Sequence, residues 1–187
     1  MRVQGRFLGK SLLQYSRRFK NSFIRGNMDT KLLQIFNKQI NHEFYSAYLY
    51  FAMSTYFSEI AMQGFCEFMK HKTSQKLATA QKIYDYLILR DEKLIFSKIE
   101  EPSVDWINVS DVFSYALSHE EFMLTQIKEL YKASREADDI AAMEYVSELI
   151  NEQVKSVGCF RKLVYRIKNA NVVSANIEHL DNIINSI

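Results

Sequence analysis

Four stretches of the chain repeat apolar residues at three- and four-residue steps, the spacing of a helix with one buried face. The first carries Phe36, Ile40, Ala47 and Tyr50. The second carries Phe65, Met69, Ile83 and Leu87, and the third Phe113, Ala116, Leu117, Leu124 and Ile127. The fourth carries Met143, Val146, Ile150, Val157, Phe160 and Val164. Each stripe is interrupted near its middle by polar residues in register with the apolar ones: Glu43, then Lys72, Lys76 and Thr79, then Glu120, then Gln153. A carboxylate in such a stripe demands a cation, a proton or a metal, because an isolated buried charge is too costly to keep. The pattern predicts an all-α bundle of four helices with a polar layer across its core.

The helices are expected at about 30–57, 62–90, 111–136 and 139–168, with a short fifth at 174–186. Asp29 or Thr30 is suited to cap the first, Ser110 or Asp111 the third, and Asp138 or Asp139 to start the fourth. Arg90 places a cation in the last turn of the second, where the helix dipole favours one. Residues 91–108 contain the only proline, Pro102, and lose the helical period. Bundle connections usually take about two to eight residues. A connection this long can cross the whole bundle and set helices two and three parallel.

Composition narrows the class. The 187 residues suit one domain, and one Pro with five Gly leaves long helices uninterrupted. No apolar run reaches membrane-spanning length. Cys66 and Cys159 sit among apolar neighbours and are expected to be buried free thiols. Charge is unevenly placed: residues 1–28 hold Arg2, Arg6, Lys10, Arg17, Arg18, Lys20 and Arg25 and no acid. Subtracting these seven from the formal +2 leaves −5 for residues 29–187. The basic balance belongs to the leader, so no nucleic-acid partner is inferred. A basic, acid-free, Ser-containing start has the character of an organellar transit peptide, mitochondrial or related, cleaved between about Arg18 and Met28. The alternative is a disordered basic tail on a cytoplasmic protein. Residues 29–187 form the folded domain in either case.

A helix pair, one long crossover and a second helix pair follow the ferritin-like plan. The run Gln39-Ile40-Asn41-His42-Glu43-Phe44-Tyr45-Ser46-Ala47-Tyr48-Leu49-Tyr50 resembles the first helix of ferritins, especially the bacterial non-haem type. Supporting matches are Gly64 with Glu67-Phe68, Lys98-Ile99-Glu100 with Pro102, Asp111-Val112-Phe113, His119-Glu120 and Asn151-Glu152-Gln153. The resemblance spans about residues 33–168. It implies a ferritin-like four-helix bundle with a short C-terminal helix, an iron cargo, and a closed cage of about two dozen subunits.

The resemblance also implies a di-iron ferroxidase centre built from a Glu on helix one, Glu-x-x-His on helix two, a Glu on helix three and Gln or Glu on helix four. Glu43, Glu120 and Gln153 occupy the first, third and fourth places, and Tyr50 matches the neighbouring tyrosine. The helix-two pair is replaced by Lys76 and Thr79. A protonated lysine has no lone pair to give a metal, and its ammonium would take the place of the metal cations between the two acids. A Lys for that Glu also resembles the vertebrate ferritin light chain, which implies a lost ferroxidase site and a part in mineral formation inside a mixed cage. The light-chain cluster of acids on helix two is absent from His71-Lys72-Thr73-Ser74-Gln75-Lys76-Leu77-Ala78. Glu144, Glu148 and Glu152, outside helix two, could hold iron loosely, although spaced carboxylates more often form a solvated face.

His42, His71, His119 and His179 lack zinc-site spacing, and His119 reads as a structural residue of the core. Trp106 reads as a packing or subunit-contact anchor. The aromatic excess of helix one (Phe44, Tyr45, Tyr48, Tyr50, Phe51, Tyr56, Phe57) predicts a subunit interface. A working ferroxidase with a rearranged site on Glu43, Glu120 and Gln153 would need further ligands that the sequence does not supply, and two other functions remain open beside it. One is an iron-storage subunit with an impaired or absent ferroxidase centre, in a homo-oligomeric cage or a mixed one with an active ferritin subunit. The other is a ferritin-derived structural subunit of a larger organellar complex that binds no iron.

Overall fold

The computed structural model describes residues 27–102, 104–170 and 174–184. The basic leader assigned to 1–28 therefore lies outside the described residues, apart from Asn27 and Met28. Five helices follow one another: α1 (Thr30–Glu59), α2 (Gln63–Leu89), α3 (Val109–Glu136), α4 (Ile140–Ala170) and α5 (Ser174–Ile183). None is long and apolar enough to cross a membrane.

The helix ends are written locally in the sequence. Asp29 caps α1, its carboxylate accepting the backbone N–H groups of Lys31 and Leu32 at 2.9 and 3.0 Å. Asp139 starts α4 by accepting from the Ala142 N–H at 3.0 Å. At α3 the expected caps were Ser110 or Asp111; the actual cap is Asn108, two residues earlier. Its side chain accepts the Asp111 N–H at 3.0 Å, while the Asp111 carboxylate reaches back to the Ile107 N–H at 3.2 Å. Asp111 is thus the third helical residue, returning the bond in the manner of a capping box.

α1 pairs with α2, α3 pairs with α4, and α1 lies against α3. One core layer joins Leu32, Phe36 and Ile40 of α1 to Ile83 and Leu87 of α2, Ile127 and Leu130 of α3, and Val146 and Leu149 of α4. The other joins Tyr50, Met53 and Phe57 to Phe65, Met69, Phe113 and Phe160. The beginning of α1 meets the ends of α2 and α3, so α2 and α3 run parallel. The long crossover makes this possible. It follows α1, where Asn37 accepts the Ile95 N–H at 2.8 Å and Asn41 donates to the Lys98 carbonyl at 3.1 Å. Trp106 packs inside the subunit against Tyr56, ring centroids 5.9 Å apart.

Several core positions shift by one residue from the sequence pattern. Ala80 replaces Thr79 on α2, Met123 replaces Leu124 on α3, and Ala142 and Leu149 replace Met143 and Ile150 on α4. Neighbours in a broad stripe are equivalent by period; close packing selects between them. The aromatic excess of α1 is also smaller than expected. Tyr50 and Phe57 are buried, Phe44, Tyr45 and Tyr56 are half-buried, and only Tyr48 and Phe51 stand exposed. Both cysteines are free; Cys66 is buried as expected, but Cys159 is only half-buried.

α5 seats against the start of α2, which has no side-chain cap of its own at Met62. The Asp181 carboxylate supplies that bond from α5, accepting the Phe65 N–H at 2.6 Å. A Cβ on Gly64 would stand 1.7 Å from the Asp181 carbonyl oxygen, so glycine is what permits the close approach.

Candidate functional site

Each of the four bundle helices brings one polar side chain to the same level, between the two apolar layers. Glu43, Lys76, Glu120 and Gln153 are all buried there. They are brought together as the stripe positions predict. Thr79 is not: it is half-buried, its hydroxyl donating to the Gln75 carbonyl of its own helix at 3.1 Å. A hydroxyl that bonds back to the preceding turn turns away from the core.

The Lys76 ammonium occupies the centre. It lies 3.1 Å from Glu120 Oε1 and donates to Gln153 Oε1 at 3.1 Å, while Glu43 Oε2 is 4.0 Å away. The Gln153 amide completes the arrangement, donating to the Glu120 carboxylate and, at 2.9 Å, to the Glu120 backbone carbonyl. The Tyr50 hydroxyl donates a short bond to the same carboxylate. Burial and the Glu120 charge hold the Tyr50 pKa well above the phenol range, so it remains a neutral donor.

The two acids differ in their surroundings. Burial opposes ionisation of Glu120, but Lys76, Tyr50 and Ser156 outweigh it and leave its pKa below the usual carboxylate range. Glu43 has one hydrogen bond, from Gln39 Nε2 at 2.7 Å, and its Oε2 has no hydrogen-bond partner among the described residues. Burial therefore raises its pKa, with Lys76 and Gln39 only partly opposing. The layer balances one ammonium with one firmly ionised carboxylate, and Glu43 is the group that takes a proton most readily.

His119 lies beside this layer as a structural residue. Ser46 donates its single hydroxyl proton to the His42 carbonyl at 2.7 Å, so His119 Nε2, 2.8 Å from Ser46 Oγ, is the donor of that pair. Burial pushes the imidazole pKa down to about 4. His71 and His179 are exposed, and His42 packs its ring edge-on to Phe122. Sequence reasoning missed Gln39 and Ser156, although Gln39 precedes Glu43 by one helical turn and shares its face. It placed Lys72 in the inward stripe without giving that residue a role.

Iron bound at this level would need several oxygen donors and an imidazole. Among the described residues no group of three or more His, Cys, Asp or Glu is placed to hold a metal ion. A protonated amine cannot ligate, and this one already uses the lone pairs of Glu120 and Gln153. With Lys76 in place, the donor set does not fit a pair of iron ions.

Comparison with known proteins places this geometry in context. Residues 33–170 match the model of the ferritin-like domain. Bacterial non-heme ferritin from Staphylococcus aureus is 27% identical over 133 residues, spanning 71% of this chain and 80% of the relative. The Staphylococcus saprophyticus protein of the same description is equally similar. Among solved structures, the Archaeoglobus fulgidus ferritin engineered into a closed form superposes with a TM-score of 0.81 at 28% identity. That superposition covers 83% of this chain and 95% of the other. A humanized archaeal ferritin gives 0.82 at 26% identity, covering 83% and 94%.

Proposed function

The chain belongs to the ferritin-like family, and we propose that it acts as an iron-storage subunit that does not itself oxidise iron. The observation that carries the second half is the buried ammonium of Lys76, fixed between Glu120 and Gln153. A storage cage needs many subunits for its walls and oxidation sites in only some of them. A subunit whose polar layer is closed by its own cation can fill the wall while a partner subunit oxidises the iron cargo.

Assembly is supported by the exposed apolar surface. Tyr48 and Phe51 follow the Phe44 face of α1, and Phe96 of the crossover packs on Phe44 with ring centroids 6.2 Å apart. Phe96 and its neighbour Ile95 are 61% and 59% exposed, so the patch continues from helix onto crossover. Contiguous apolar surface of this kind is usually covered by a partner. The second reading, a structural subunit that binds no iron, gains nothing from the comparisons.

Native mass and iron loading test the proposal together. The purified chain, alone or co-expressed with an oxidising ferritin subunit, is expected in a large closed assembly that retains iron. A monomer that stays iron-free under both conditions would refute it.

A further inference from the structure

The bundle is tighter on one side than on the other. α1 and α3 bring Cα atoms within 8 Å, whereas among the described residues α2 and α4 make no such approach. The gap between α2 and α4 is a groove of about 500 Å³ above the polar layer. Lys72, Lys76 and Lys82 line it from α2, and Glu152 and Lys155 from α4.

Its charge is one-sided. Lys76 is committed to Glu120 below, and Lys82 is paired with Glu152 at 2.8 Å. Lys72 and Lys155 remain, neither in a direct ion pair or hydrogen bond among the described residues, and Lys72 feels the Glu120 charge only from beyond ion-pair distance. Lys72 is only 8% exposed, its ammonium resting 5.4 and 5.5 Å from the ring centroids of Phe68 and Phe160. Burial is the main influence on its pKa and lowers it; Cys159 and Glu120 oppose only in part, and Lys76 one turn away adds to the lowering. An amine held against its preference in an open groove is stabilised by whatever anion enters.

We propose that the α2–α4 groove binds a phosphate-class oxyanion, held between the ammonium groups of Lys72 and Lys155. A monovalent carboxylate or halide would leave one of the two lysines uncompensated, whereas a polyvalent oxyanion offers acceptors to both. The volume admits a single phosphate or a short run of linked ones. The site needs no iron, so it stands or falls apart from the storage function.

Calorimetric titration of the iron-free full chain at constant ionic strength tests it, with inorganic phosphate and tripolyphosphate in separate arms. Saturable uptake of at least one of them, near one equivalent per subunit, is expected. Binding in both arms means that one tetrahedral group suffices; binding of tripolyphosphate alone assigns the groove to linked phosphates. Lys72→Met keeps the packing on Phe68 and Phe160 and should weaken binding about tenfold or more. Lys155→Gln, at an exposed position that leaves the fold intact, should weaken it similarly. Lys132→Gln on α3 should change nothing. No saturable uptake in either arm, or affinity unaltered by both groove substitutions, would overturn the proposal.

Discussion

At the scale of single residues, Lys76 is the position on which the bundle's polar layer depends. Removing one partner of a buried ion pair typically costs about 3–5 kcal/mol, because the remaining charge is stranded. Lys76→Met preserves the volume and should lower stability by about that much at neutral pH, as measured by denaturant unfolding. The deficit should shrink on acidification as Glu120 and Glu43 accept protons. His119 gives a pH dependence of its own. Its pKa falls from 6.5 to about 4 on folding, so the unfolded chain binds more protons across that window. Stability contributed by the neutral ring is complete above pH 6.5 and is lost as pH drops toward 4. Between pH 7 and pH 5 this amounts to about 2 kcal/mol. His119→Gln can keep the Ser46 bond and should lose less stability over that interval in paired urea titrations. An identical loss in both proteins would contradict the assignment.

At the scale of elements, most boundaries were legible because caps and periodicity are local. Asp29 and Asp139 were each legible as one of two neighbouring candidates, with Thr30 and Asp138, since a capping side chain acts within three residues of its own position. The crossover was legible by length and by loss of period. The missed boundary, Asn108, fell to an equally good capping residue just upstream of Ser110 and Asp111. α5 was legible as a helix, but its role was not. The bond from Asp181 to the start of α2 joins residues 116 apart, and no periodicity encodes such a contact. Asp181→Ala removes the cap of α2 and should cost about 0.5–2 kcal/mol. Gly64→Ala instead sets a methyl group against the α5 backbone and should detach that helix. Protease cleavage or hydrogen exchange confined to the α5 segment would register both. Uniform exchange across the chain would point to another role.

At the scale of the whole molecule, the polar layer is legible in the sequence as the residues that break each apolar stripe. Glu43, Lys76, Glu120 and Gln153 meet because each lies near the middle of its helix, and antiparallel pairing brings midpoints together. Thr79 failed this logic because the helix turns it toward its own backbone. The α2–α4 groove was illegible, since its width depends on the spacing of two helices that are not chain neighbours. The unequal surroundings of Glu43 and Glu120 follow from the same cause: Glu120 draws on Lys76, Gln153 and Tyr50 from three other helices, whereas Glu43 has Gln39 of its own helix and a more distant Lys76.

If Lys76 excludes iron from this layer, ferrous-iron oxidation is the property that shows it most directly. Rapid-mixing absorbance should show no rate above the protein-free background for the native chain. Lys76→Glu with Thr79→His returns a carboxylate and an imidazole to α2 and should oxidise iron measurably once shown to be folded. A native chain that oxidises iron readily, or a folded double variant that stays at background, would contradict the account.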